Sequence, residues 1–137
     1  MKQSINLRWN EAMSFETELN GHKIIIDADE SVGGKNAGPR PKPLLLLALA
    51  GCTAMDVISM LGKMRVKPDA FHVEVDGELT SEHPKYYHKL HVKYIFKGKE
   101  LPMDKLEKAV NLSQENYCGV SAMLSRAAEL TYEIITE

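Results

Sequence analysis

Two cysteines stand in contexts where thiol chemistry is possible. Cys52 lies in Ala50-Gly51-Cys52-Thr53-Ala54, deep in an apolar stretch and flanked by small residues, and Cys118 lies in Tyr117-Cys118-Gly119-Val120-Ser121. A working dithiol needs one attacking thiolate and one resolving partner, distant in sequence but adjacent in space. The plainer reading is two buried cysteines acting as small hydrophobes. Cys118 is placed to open a short helix, where the helix dipole favours a thiolate. Cys52 sits mid-helix with Asp56 one turn on, and that like charge opposes a thiolate, so Cys52 needs a cation from elsewhere. Arg40 and Lys42, at the mouth of a Gly/Pro-rich loop, are the candidates to supply it. Arg40 is held between Pro39 and Pro41, which limits its backbone freedom. The competing reading makes both of them solvated loop charges.

Other chemistry has little support. Gly33, Gly34 and Gly38 match neither a phosphate-cradling G-x-x-x-x-G-K-[ST] loop nor a G-x-G-x-x-G turn after a strand. His88 and His91 are three apart on an alternating segment and so point to opposite faces, while His72 and His83 have no ligand-spaced neighbour. No G-x-S-x-G, HExxH or paired-carboxylate pattern is present, and Tyr86-Tyr87 and Met60/Met64 read as packing. No metal and no organic cofactor is expected.

The elements that must position these residues follow from periodicity. Ser4–Trp9 and, less cleanly, Met13–Leu19 alternate as strands, and His22–Ala28, with Ile24-Ile25-Ile26 at its centre, completes a three-stranded meander; Asn20-Gly21 is a strong hairpin signal, because both turn positions need φ > 0. After the loop from Ser31 to Pro43, a helix from about Lys42 to Met64 would be about 35 Å long at 1.5 Å per residue. It is apolar nearly all round at first, which marks a central helix covered on every side. Phe71–Leu79 and Tyr87–Phe96 alternate as strands. Helices at Met103–Asn116 and around Val120–Ala128 precede a last strand, Thr131–Thr136. The order βββ-α-ββ-α-α-β is an α+β architecture of helices packed on antiparallel sheet.

The 137 residues make one domain, 1–137, by the usual size prior. With 44% hydrophobic and 26% charged residues, a disordered, collagenous, disulfide-scaffold or coiled-coil chain is excluded. A net charge of −2 argues against nucleic acid or an anionic membrane as partner. Leu44–Met55 is uncharged, but Asp56 interrupts the run, and a carboxylate at that depth in lipid costs about 2.5 kcal/mol or more. Met1–Phe15 has no apolar h-region, so a reducing, cytoplasmic setting is expected.

A loop ending in Pro41-Lys42-Pro43, then Leu44-Leu45-Leu46-Leu47-Ala48-Leu49-Ala50-Gly51-Cys52, then Cys118-Gly119-Val120-Ser121 after a helix, resembles the OsmC/Ohr family of osmotically inducible and organic-hydroperoxide-resistance proteins. The likeness spans nearly the whole chain and is greatest to the OsmC-like branch of YhfA type. It implies an intertwined homodimer whose long central helices pack against sheets from both chains. It also implies a thiol peroxidase. Cys52 matches the peroxidatic cysteine that attacks an organic or fatty-acyl hydroperoxide, and Cys118 matches the resolving cysteine, whose disulfide a dithiol reductant reopens. Arg40 would activate Cys52, and Lys42, Leu49, Met55 and Asp56 would face substrate. Three departures stand out. Lys42 occupies the position of the family's switch Glu, Asn10–Ser14 offers no arginine (Arg8 is nearest), and Gly119 replaces the usual Pro. The alternative implied by the same fold is a non-catalytic dimeric module that binds a small hydrophobic ligand or electrophile between helices.

Overall fold

Asn20 and Gly21 adopt φ of 52° and 80°, the left-handed pair that a tight two-residue hairpin requires. They join β2 (Ser14–Leu19) to β3 (His22–Ile26), while β1 (Arg8–Glu11) pairs with β2 across a bulge, giving an antiparallel meander. The computed structural model describes residues 1–137, which divide into two compact units, Met1–Leu45 and Leu46–Glu137.

The first unit is organised by a buried carboxylate. Asp27 accepts from the backbone N–H groups of Ala28 at 2.7 Å, Lys35 at 3.2 Å and Ala37 at 3.1 Å, and so folds the following loop around itself. These donors, Ala28 first, hold its carboxyl below the usual range. Asp29 caps a 3-10 turn at Glu30–Val32 by accepting from Ser31 N. Gly34 is required by close approach, since a Cβ there would clash with the Ala28 carbonyl oxygen.

Helix α1 (Pro41–Lys63) begins with Pro41 and Pro43 in its first turn, where a missing N–H is no loss. Leu49, Thr53, Val57 and Leu61, each four residues from the next, are its buried positions. Leu47 and Met55, by contrast, are 65% and 73% exposed. The expectation of a helix covered on every side is therefore corrected within one chain: one stripe is buried and an apolar face is left open.

In the second unit, β4 (Ala70–Leu79) and β5 (Tyr87–Lys97) are antiparallel, with Val75 opposite Val92. Strand β6 (Glu129–Thr136) joins β5 parallel, Val92 opposite Tyr132, so the sheet is mixed where an antiparallel one was expected. The reason is the crossover: α2 (Met103–Leu112), a π-helical turn (Ser113–Tyr117) and α3 (Gly119–Leu124) carry the chain back to the same end of the sheet. The core joins Leu49, Val57 and Leu61 of α1 to Val92, Tyr94 and Phe96 of β5 and to Leu106, Ala109 and Val110 of α2. Phe71 stacks on Phe96 with ring centroids 4.6 Å apart.

Candidate active site

The two cysteines are brought together. The sulfurs of Cys52 and Cys118 and a carboxylate oxygen of Asp56 all lie within 4.8 Å of one another, and both thiols are free. Cys52 and Asp56 come from the same side of α1, one turn apart. Cys118 comes from the end of the π-helical turn, whose defining bond runs from Cys118 N–H to the Ser113 carbonyl at 2.7 Å. That widened turn ends the regular helix at Leu112, short of the expected Asn116, and swings the chain so that Cys118 enters the core.

Cys118 is the N-cap of α3, and its Sγ accepts from Ser121 N–H at 3.3 Å. Its thiol is nonetheless pushed up, first by burial, with Ser121 pulling it down and the adjacent Cys52 raising it further. The expected helix-terminus effect is thus present but outweighed, since at 3% exposure desolvation costs the charged form more than a six-residue helix returns. The Ser121 hydroxyl is buried without a hydrogen-bond partner. The three donor atoms could chelate a cation only with both thiols deprotonated, which the burial of Cys118 opposes.

Behind the thiols runs a chain of polar groups that none of the sequence patterns revealed. Gln114 Nε2 lies 2.6 Å from Tyr94 OH, Tyr94 OH 2.5 Å from Thr53 Oγ1, Thr53 Oγ1 2.7 Å from Ser113 Oγ, and Ser113 Oγ 2.9 Å from Asp56 Oδ2. Thr53, Tyr94 and Ser113 are fully buried. The ends fix the direction. An amide N–H can only donate and a carboxylate can only accept, so each hydroxyl spends its single proton on the next group toward Asp56. Burial raises the Tyr94 phenol, which keeps that proton in place.

Arg40 donates to Asn36 Oδ1 at 2.6 Å, to the Gly38 carbonyl at 3.1 Å and to Asp29 Oδ1 at 3.3 Å, all within the first unit. Lys42 is exposed in the first turn of α1, Leu49 is fully buried in the core, and Met55 is on the open face. Asp56 lines a cleft of about 440 Å³ together with Met60, Lys63, Met64, Leu112 and Tyr117; Leu49, Met55 and the two cysteines do not line it. Three of the five histidines lie beside carboxylates: His91 Nε2 is 2.5 Å from Glu133, His88 Nε2 3.4 Å from Glu78 and His72 Nε2 3.5 Å from Glu74.

This order of elements, with its long apolar helix and mixed sheet, is that of OsmC-like proteins. Residues 33–133 match the family model described as OsmC-like protein, and the chain belongs to that family. Protein YhfA of Escherichia coli K12 is 32% identical over 132 residues, covering 94% of this chain and 96% of that protein. A hypothetical protein of Aquifex aeolicus VF5 superposes with a TM-score of 0.84 at 28% identity, over 100% of this chain and 98% of the other. The organic hydroperoxide resistance protein OhrB of Bacillus subtilis shares the fold, with a TM-score of 0.64, 17% identity and 98% of each chain covered.

Proposed function

We propose that this protein is a cysteine-based peroxidase that reduces organic or fatty-acyl hydroperoxides. The observation that carries the reading is the proximity of two free thiols, the half-buried Cys52 and the enclosed Cys118, within 4.8 Å. Cys52 attacks the terminal peroxide oxygen, the O–O bond breaks, the alcohol leaves and Cys52 becomes a sulfenic acid. Cys118 displaces water from that sulfur to close a disulfide, which a dithiol reductant reopens. The cleft beside Asp56, lined by Met60, Met64, Leu112 and the cationic Lys63, suits an apolar chain ending in a carboxylate. No metal or organic cofactor takes part.

The reading includes a cytoplasmic homodimer. An exposed apolar face on α1, including Leu47, Met55 and Ile58, supports burial against a second copy, as in the family's intertwined dimers. Lys42 and Met55, both exposed, are assigned to the substrate side of that assembly, with Leu49 as the wall behind the thiols and Arg40 as the cation that favours the Cys52 thiolate. One observation favours a different role. The Arg40 guanidinium is engaged by Asp29, Asn36 and Gly38, which suits a dimeric module holding a small hydrophobic ligand without turnover. The two are separated by Cys52→Ser. As a peroxidase the protein loses all hydroperoxide consumption in that variant, while Cys118→Ser retains a single turnover and a trappable sulfenic acid. Repeated turnover by Cys52→Ser would refute the mechanism.

A further inference from the structure

The dithiol reading, on which this inference rests, leaves one proton unaccounted for. Cys118 is enclosed, and its thiol is held protonated by burial. To attack the Cys52 sulfenic acid it must lose a proton, and the departing oxygen must gain one. We propose that Asp56 is a catalytic proton shuttle for disulfide closure, and that Ser113, Thr53, Tyr94 and Gln114 are positioning residues that hold its carboxylate near the two sulfurs. Neither role follows from a disulfide-forming cysteine pair alone.

Three observations converge on it. A carboxylate oxygen of Asp56 lies within 4.8 Å of both sulfurs. Its Oδ2 is tied down by Ser113 at 2.9 Å, at the receiving end of a chain in which every hydroxyl donates toward it. Such a chain fixes the carboxylate's orientation, with Oδ2 held by the Ser113 hydroxyl. On the other side, the backbone N–H of Ser121 already points at Cys118 Sγ, and the otherwise unpartnered Ser121 hydroxyl is free to donate once a thiolate forms. The groups facing Cys118 are thus Cys52 and Asp56 from α1, Tyr94 from β5 and Ser121 from α3.

The step balances. The Cys118 S–H proton passes to the Asp56 carboxylate, and the sulfur's electron pair forms the S–S bond to Cys52. The S–O bond of the sulfenic acid breaks with its pair on oxygen, which takes the proton back from Asp56 and leaves as water. Cys118 is oxidised to the disulfide level, the sulfenic sulfur is reduced to it, and Asp56 returns to a carboxylate. The oxidant is the organic hydroperoxide consumed in the preceding step.

The test needs no hydroperoxide. The reduced protein, mixed with one equivalent of the aromatic disulfide DTNB, releases one thionitrobenzoate as Cys52 is capped and a second as Cys118 closes the ring. That leaving group departs without a proton, so the second phase isolates the removal of the Cys118 proton. Wild type is expected to close readily near neutral pH. Asp56→Asn is expected to close about 100-fold more slowly, the ordinary worth of a positioned base, and to regain speed only as the pH is raised. Ser113→Ala, which keeps the carboxylate and covers the case in which Asp56→Asn fails to fold, should slow closure about tenfold with a displaced pH profile, and Ser113→Thr should restore both. Closure in either Asp56→Asn or Ser113→Ala within threefold of wild type from about pH 6 to about pH 9 would overturn the proposal. A first release that never occurs would instead refute the reactive-thiol reading and this proposal with it.

Discussion

The direction of the buried hydroxyl chain can be tested by stability alone. Thr53→Val removes one hydroxyl without changing side-chain volume, so no cavity forms. Because Tyr94 donates to Thr53, the substitution strips the Tyr94 O–H of its acceptor in a fully enclosed site. An orphaned buried donor costs about 1–3 kcal/mol, and we expect a loss of about 2 kcal/mol. Tyr94→Phe acts on the other end of the same bond. Thr53 then keeps its own acceptor, Ser113, and only a lone pair and the half-buried Gln114 amide go unserved, so the cost should be about 1 kcal/mol. In the double variant two apolar groups face each other and the orphan disappears, so the losses should be less than additive by about 1 kcal/mol. Urea unfolding of the reduced proteins at one fixed protein concentration reads all three, with a midpoint shift of about 1 M for Thr53→Val. Tyr94→Phe costing as much as Thr53→Val, with strictly additive losses in the double variant, would refute the directional chain.

Two further predictions concern the first unit. Asp27 has its carboxyl lowered by the Ala28, Ala37 and Lys35 N–H groups, so it contributes stability above the ordinary carboxylate value of 3.8, and that contribution is lost as pH falls through its lower folded value. Asp27→Asn should therefore be less stable than wild type at neutral pH and lose less on acidification below pH 3.8, as thermal melts across that range would show; parallel pH curves for the two proteins would contradict it. If Arg40 favours the Cys52 thiolate, Arg40→Ala should slow iodoacetamide alkylation of Cys52 by at least about threefold at neutral pH. An unchanged rate would confine Arg40 to holding Asp29 and Asn36.

Much of the fold was legible because local chemistry and tertiary placement agree. Asn20-Gly21 makes the hairpin its dipeptide dictates, and the alternation from Phe71 to Leu79 and from Tyr87 to Phe96 becomes the β4–β5 pair. What stayed hidden depends on partners remote in sequence. The parallel placement of β6 is decided by the crossover, to which Thr131–Thr136 itself carries no clue. The π-helical turn at Ser113–Tyr117 has no compositional mark; it exists where Ser113 and Gln114 must reach Asp56 and Tyr94. Thr53, Tyr94 and Ser113 read singly as ordinary helix and strand residues and acquire meaning only as a connected set. Cys52 and Cys118 were legible as a possible pair, but at Cys118 burial outweighs the helix terminus, and a sequence pattern does not report burial.

The thiol count after a single oxidative challenge tests the central claim most directly. Reduced protein, kept anaerobic and mixed with a stoichiometric organic hydroperoxide, should lose both free thiols rapidly, and peptide mass analysis should find Cys52 joined to Cys118. Thiols that survive minutes of exposure would show that the fold is retained without the peroxidase chemistry.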